Sequence, residues 1–314
     1  MADIKQKIVP CLWFDKNCEE AMNFYVSVFK NSKIIHVQKY PDNVEDEHMK
    51  GMEGKVLTGI FELEGYRFMA LDGGPIFKVN PSISFFLNFD PSKDKNAREN
   101  LDNLWEKLSE GGKVLMPLQK YPFSAHYGWI QDKYGISWQL ILSDSKGGER
   151  PFIVPSFLFV GDVCGKAEEA IKFYESIFLK AKSQVFARYT KNENPDKEGT
   201  VKYAQFILED QEFGAMDSAH MHNFAFNKAI SLIVRCKDQK EIDHFWNKLS
   251  AVPESEQCGW LKDKFGLSWQ IIPKQFEEQM ENYDPEETKR VMSAVLKMKK
   301  IVIADLEKAR KGEA

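Results

Sequence analysis

One string of fourteen residues occurs twice in this chain, and that repetition constrains the possible folds more than any other feature. Gly128-Trp129-Ile130-Gln131-Asp132-Lys133-Tyr134-Gly135-Ile136-Ser137-Trp138-Gln139-Leu140-Ile141 returns as Gly259-Trp260-Leu261-Lys262-Asp263-Lys264-Phe265-Gly266-Leu267-Ser268-Trp269-Gln270-Ile271-Ile272, with nine positions identical. Upstream, Ile8-Val9-Pro10, Glu19-Glu20-Ala21 and Phe24-Tyr25 match Ile153-Val154-Pro155, Glu168-Glu169-Ala170 and Phe173-Tyr174. Between these blocks, Leu104-Trp105-Glu106-Lys107-Leu108-Ser109 matches Phe245-Trp246-Asn247-Lys248-Leu249-Ser250. Three blocks in one order mean a duplication, so the chain repeats one architecture.

The copies are unequal. Glu20 corresponds to Glu169, Trp105 to Trp246 and Trp129 to Trp260, so the second copy is about ten residues shorter between its second helix and its last hairpin. The missing piece corresponds to Lys113 to His126, which includes Lys120-Tyr121-Pro122-Phe123-Ser124. If that stretch shapes a pocket, the two copies hold different sites.

Within the first copy the apolar pattern predicts a strand at Val9 to Phe14, then a helix whose core face is Ala21, Phe24, Tyr25, Val28 and Phe29. Asp15 or Asn17 is placed to cap that helix, with Glu19 and Glu20 favourable in its first turn. Strands follow at Ile34 to Gln38, Lys55 to Leu63 and Tyr66 to Leu71, the last two joined by a turn at Glu64-Gly65. The order then recurs: a strand at Ile83 to Phe89, an amphipathic helix at Ala97 to Leu108, and strands at Val114 to Met116, Gly128 to Gln131 and Ser137 to Leu142. Asp132-Lys133-Tyr134-Gly135 reads as a hairpin turn, with Gly135 supplying positive φ. Each copy is thus two strand-helix-strand-strand-strand modules, and two modules side by side are expected to curve around one cup.

The Gly-Trp…Asp-Lys-x-Gly-x-Ser-Trp-Gln hairpins and the Glu-Glu-Ala-x-x-Phe-Tyr helices resemble the PhnB-like group of the glyoxalase/bleomycin-resistance (vicinal oxygen chelate) superfamily, a group also carried under a demethylubiquinone methyltransferase label. The resemblance covers residues 7 to 143 and 151 to 274. It implies an α+β fold of tandem glyoxalase-like domains, each of paired βαβββ units forming a curved mixed sheet. The boundaries expected are 1–143 for the first domain, 144–150 for a polar linker, 151–274 for the shortened second domain and 275–314 for a helical tail. In that tail Pro285, Glu286 and Glu287 start a helix whose apolar stripe is Val291, Met292, Val295, Leu296, Met298, Ile301, Val302 and Leu306, suited to packing across one of the halves.

Composition removes several classes of function. Lys plus Arg number 43 against 47 Asp plus Glu, a net charge of −4, which gives no broad field for phosphate backbones or anionic lipid. Neither a nucleic-acid nor a membrane partner is expected. The five cysteines are scattered with no Cys-x-x-Cys pair, as for free thiols in a reducing compartment. Met1 to Gln6 is polar and lacks the apolar core of a signal peptide, and no stretch approaches the roughly 18 apolar residues of a membrane span. A cytoplasmic location is expected, as a monomer with pseudo-dimeric halves or as a homodimer.

Catalytic members of the superfamily hold one divalent metal through two His or similar residues and one Glu near the end of a last strand. The matching positions here are Gln139 and Gln270, which keep an oxygen donor but lose the charge a hard dication needs. Leu12-Trp13-Phe14, Phe157-Leu158-Phe159, Ser82 to Asn88 and Ile230 to Val234 supply no His. His220-Met221-His222 is the one local His cluster and sits in an expected loop; His36, His48, His126 and His244 are isolated. No metal ligands and no cofactor are therefore expected. A glycine-rich turn for a sulfonium cofactor is also missing, so the methyltransferase label finds no support in these residues.

What remains is an aromatic cup. Trp13, Met69, Lys120, Tyr121, Phe123, Ser124, Tyr127, Trp138 and Gln139 are the ligand-binding candidates, with Leu71 and Phe85 beside them. Phe157, Phe213, Met216, Trp260 and Trp269 are the second-copy counterparts. A mostly apolar lining with a few directing polar groups suits a small molecule. The expected function is metal-independent binding of a small, planar or amphipathic molecule, mainly in the first half, with the second half as scaffold. A metal-dependent lyase or oxygenase (a dioxygenase, for example) with atypical ligands, or a structural module without ligand, are the alternatives, and catalytic residues are unassigned.

Overall fold

Two strands, β5 (Ile83–Phe89) and β9 (Ile153–Phe159), are buried at every position, the pattern of strands central to a sheet with both faces covered. A computed structural model describes residues 6–40, 49–143, 150–275 and 284–313; His48 and linker positions 144–149 lie outside the described residues. β5 and β9 pair antiparallel with each other, Ile83 opposite Phe157 and Leu87 opposite Ile153. Around them runs an eight-stranded sheet. Its other members are β6 (Lys113–Tyr121), β7 (Ser124–Gln131), β8 (Ser137–Leu142), β10 (Lys182–Arg188), β11 (Val201–Leu208) and β12 (Gln211–Asp217), in the order β10-β11-β12-β9-β5-β8-β7-β6.

This pairing corrects one expectation. The two modules of a sequence copy were expected to share one sheet; instead the second module of the first copy joins the first module of the second copy. All modules carry the same pattern of strands, so the pattern does not say which first strand will meet which. The mixed character does follow the expectation: β5 pairs parallel with β8 and β12 parallel with β9, while the hairpins β6–β7, β7–β8, β10–β11 and β11–β12 are antiparallel.

Two compact units are present: Leu12–Ala229, and Met1–Cys11 together with Ile230–Ala314, the division falling within β1 (Ile8–Phe14). The first unit holds the eight-stranded sheet and the antiparallel strands β2 (Lys33–Lys39), β3 (Val56–Leu63) and β4 (Tyr66–Asp72). It also contains helices α1 (Cys18–Val28), α2 (Ala97–Ser109) and α3 (Ala167–Glu175).

The start of α1 is secured from a distance. Asn17 occupies the N-cap position but its side chain makes no cap hydrogen bond. Instead the Asp72 carboxylate, at the end of β4, accepts from the backbone N–H groups of Lys16 and Cys18. Asp217 repeats the device at the end of β12, accepting from Gly165, Ala167 and Val201 at 2.8–3.1 Å. The first N–H of each helix, on Cys18 and Ala167, both buried, is thereby given an acceptor from a distant strand.

The repeated hairpin owes its sequence to one aspartate. Asp132 Oδ1 accepts from the N–H groups of Tyr134 and Ile136, closing the turn in which Gly135 takes φ 91°. Its Oδ2 accepts from Trp138 Nε1 at 2.7 Å and from the Tyr25 hydroxyl at 2.8 Å. Trp138, fully buried, then packs against Tyr25, Phe29, Phe68 and Phe85 with ring centroids 5.3–6.4 Å apart. Burial pushes the Asp132 carboxyl up to about 6, against the pull of these four donors. Asp263 and Trp269 make the same contact at 2.9 Å in the other unit.

That other unit contains β13 (Ile230–Cys236), α4 (Gln239–Leu249), β14 (Trp260–Lys262) and β15 (Ser268–Pro273), with β15 between β13 and β14. A 3-10 turn at Pro253–Ser255 stands where the first copy has its long strand β6. The tail occupies the space. The expected single helix is two, α5 (Pro285–Lys297) and α6 (Ile303–Lys311), broken at 298–302. The break lets the carbonyls of Met298 and Lys299 accept from the N–H groups of Cys258 and Gly259, both at 2.7 Å. Val291, Val295, Ile301 and Leu306 bury themselves together against Cys258 and Ile272. Val291, Val295, Met298, Ile301 and Leu306 of the expected stripe therefore pack on the second copy's last hairpin, whereas Leu296 is exposed. No helix among the described residues is long and apolar enough to cross a membrane.

Candidate functional site

A cavity of about 450 Å³ opens over one face of the eight-stranded sheet, within the unit Leu12–Ala229. Its floor is apolar and aromatic: Phe86, Tyr127, Met116, Trp129, Ile141, Tyr203 and Met216 pack as one cluster with Val154. Phe123, Leu158, Phe186 and Tyr189 extend the lining, and the polar members are Gln139, Arg150, Lys202, Asp217, Ser218 and His222. The volume falls in the ordinary range for a small-molecule site. The expectation placed the pocket mainly in the first copy, but nine lining residues belong to the second copy and Arg150 to the end of the linker. The β5–β9 pairing is the reason, because it lays strands of both copies side by side.

Gln139 is central to the floor and almost wholly buried. The Tyr127 hydroxyl donates to its Oε1 at 2.6 Å, and its Nε2 donates to Ser84 Oγ at 2.8 Å. Burial raises the Tyr127 phenol far above its usual range, so it stays protonated as the donor. Gln270 donates likewise to Ser231 at 3.0 Å, with Cys258 at the sequence position matching Tyr127.

The structure divides the nine candidate residues. Phe123, Tyr127 and Gln139 line the cavity, and Tyr121 stacks on Phe123 with centroids 5.5 Å apart and meets Tyr127 edge-on. Trp138 precedes Gln139 in β8 and so faces the other side of the sheet, into the core under α1. Ser124 ties the β6–β7 hairpin down by donating to Leu142 O at 3.1 Å, and Lys120 is exposed on β6. Trp13 donates to Gly74 O and packs edge-on against Phe77, and Met69 stands opposite Ile60 in the β3–β4 pair, both away from the cavity. Of the companions, Phe85 is in the core with Trp138 and Met216 is in the lining.

Sequence reasoning passed over Arg150, Phe186, Tyr189, Lys202, Tyr203 and Ser218. Tyr203 and Phe186 show period-two alternation on β11 and β10, but only the β5–β9 pairing brings those strands to the cup. His222 also lines the cavity, its Nε2 2.9 Å from Ser218 Oγ, while His220 pairs with Asp196 at 3.5 Å. Burial and the neighbouring His220 hold the His222 imidazole below its usual range.

A divalent metal does not fit these groups. Among the described residues no three His, Cys, Asp or Glu side chains converge on one point, and both ends of the Gln139 amide are already engaged. A wider groove of about 1080 Å³ lies beside α1 and α2, where Lys30 bonds to Asn100, Asn31 to Glu64 and Asn100 to Asp94.

The strand-helix-strand-strand-strand order repeated along the chain and the mixed sheet with an aromatic cavity over it agree with the fold expected of two tandem glyoxalase-like copies. The chain belongs to the family described as 3-demethylubiquinone-9 3-methyltransferase, which it matches over residues 6–141 and again over 151–272. Among solved structures it is similar to a protein from Bacillus cereus titled a 3-demethylubiquinone-9 3-methyltransferase and PhnB protein (38% identity, 44% of this chain and 100% of that one, TM-score 0.39). It is also similar to protein PA1353 from Pseudomonas aeruginosa (25% identity, 44% and 98%, TM-score 0.37) and to glyoxalase I from Zea mays (13% identity, 89% and 98%, TM-score 0.49). No curated protein matches the chain.

Proposed function

We propose that this chain binds a small, planar or amphipathic molecule in the cavity over the eight-stranded sheet, without a metal. The observation that carries the reading is the Tyr127–Gln139–Ser84 chain of hydrogen bonds beneath an aromatic lining. At the position matched to the superfamily's metal-binding Glu stands an uncharged amide, already partnered on both sides. The site is therefore suited to stacking and water exclusion, with the amide holding Tyr127 in place as part of the floor. Both copies contribute to it, and the tail takes a structural part in the second copy's hairpin. Five free thiols, of which burial pushes Cys11 and Cys236 up to about 12, support a cytoplasmic setting.

Elemental analysis of the purified protein tests metal independence, before and after incubation with zinc, nickel, manganese and iron(II). Less than stoichiometric metal in every sample is expected. A stoichiometric metal lost on Gln139→Leu or His222→Ala substitution would overturn the reading in favour of a metal enzyme.

A further inference from the structure

The polar groups around the cavity are unevenly spent, and the imbalance describes what is to be bound. Tyr127 and Gln139 use their donors on each other and on Ser84. The Asp217 carboxylate is consumed by three backbone N–H groups, and Lys202 is paired with Glu193. Tyr189 donates to Asp217 O at 3.1 Å, and Ser218 is engaged with His222, whose depressed basicity leaves it neutral near pH 7. Two donors are left over. Trp129 Nε1–H is buried with no acceptor. Arg150 forms no ion pair among the described residues; its guanidinium stands 5.9 Å over the Phe186 ring and reaches the Tyr203 hydroxyl, which uses one of its several donors. Glu212 senses the Arg150 charge without forming an ion pair with it.

An unmet buried donor and a cation above an aromatic floor both call for acceptors, and the cation calls for a negative one. We infer that the ligand is a planar aromatic carboxylate, its ring between the aromatic side chains and its carboxylate against Arg150, with an acceptor for Trp129 Nε1. This rests on the binding reading above and adds the chemical class. Arg150 is the selecting residue, because the cavity's other charged side chains are already paired.

Calorimetric titration of the full chain with benzoate, 2-naphthoate and anthracene-2-carboxylate, each beside its primary amide, tests the inference. At least one carboxylate is expected to bind about 10-fold or more tighter than its amide, the worth of one charge-assisted contact. Arg150→Gln should remove that preference by weakening the carboxylate and leaving the amide unchanged, whereas Trp129→Phe should weaken both. Amides that bind as tightly as the acids overturn the carboxylate assignment and leave the pocket standing. If no acid and no amide binds at millimolar concentration, the pocket reading itself fails. Near-ultraviolet circular dichroism of each variant, matching that of the parent, excludes loss of fold as the cause.

Discussion

The Tyr127 hydroxyl reaches Gln139 Oε1 over 2.6 Å, so two residues twelve apart in sequence on adjacent antiparallel strands act as one unit of the cavity floor. Neither polar group is worth much by itself, since each has exchanged water for a protein partner. Losing one partner is expensive because the other stays buried. Tyr127→Phe is expected to cost ~1–3 kcal/mol in urea unfolding, and Gln139→Leu a similar amount. The double variant should cost less than the two added together, with a coupling of ~1 kcal/mol. Simple additivity in that cycle would mean that the contact is energetically idle.

Asp132 gives stability a pH dependence of unusual sign. Its folded pKa is about 6 against a reference of 3.8, so between those values the folded state binds more protons than the unfolded state. The group therefore subtracts stability as pH rises through that window, by on the order of 3 kcal/mol when complete. In Asp132→Asn the dependence disappears, although the acceptor for Trp138 and Tyr25 is impaired. The stability lead of the parent over this variant should be largest near pH 4 and shrink toward pH 7. A lead that grows with pH in paired denaturant titrations would contradict the assignment.

Phe123 is 61% exposed at the rim, stacked on Tyr121 and edge-on to Tyr127 at 5.0 Å. Phe123→Ala should leave stability within ~0.5 kcal/mol, as for most surface changes. The same variant should weaken an aromatic ligand by roughly 3–10-fold, the worth of one ring contact. Thermal unfolding with and without the ligand separates the two effects.

Ile301 lies 1% exposed at the break between α5 and α6, in contact with the second copy's hairpin. Ile301→Ala is expected to cost ~2–4 kcal/mol by removing buried methyl groups from a packed site. Differential scanning calorimetry reads that cost directly; an unchanged transition would show that the tail is not integral to its unit.

The module pattern was legible because alternation, helical spacing and the hairpin string are local. β5, β8 and α2 lie within a residue of where periodicity puts them. The α1 cap was not legible, since its acceptor, Asp72, is 54 residues from Cys18. Within the site, Gln139 could be picked out by its place after the hairpin, and Phe123 by belonging to the segment that the second copy lacks, with Tyr127 directly after it. Trp138 and Gln139 are neighbours on one strand and cannot both face the cavity, a constraint that composition alone does not resolve. Tyr203 was hidden for a different reason: local signals describe a strand well and say nothing about which distant strand it will meet, while Arg150, at the end of the linker, belongs to no periodic element.

Pairing β5 with β9 has a consequence for how selectivity can be encoded. In an assembly of identical copies, any change on one wall of a cup is imposed on every equivalent wall. Here the equivalent walls are separate stretches of one chain, so Tyr127 can be an aromatic donor while its counterpart Cys258 packs against a helical tail. The cup is released from having an identical twin, and its walls can be fitted to one lopsided molecule, ring at one end and charge at the other, without a second cup changing in step.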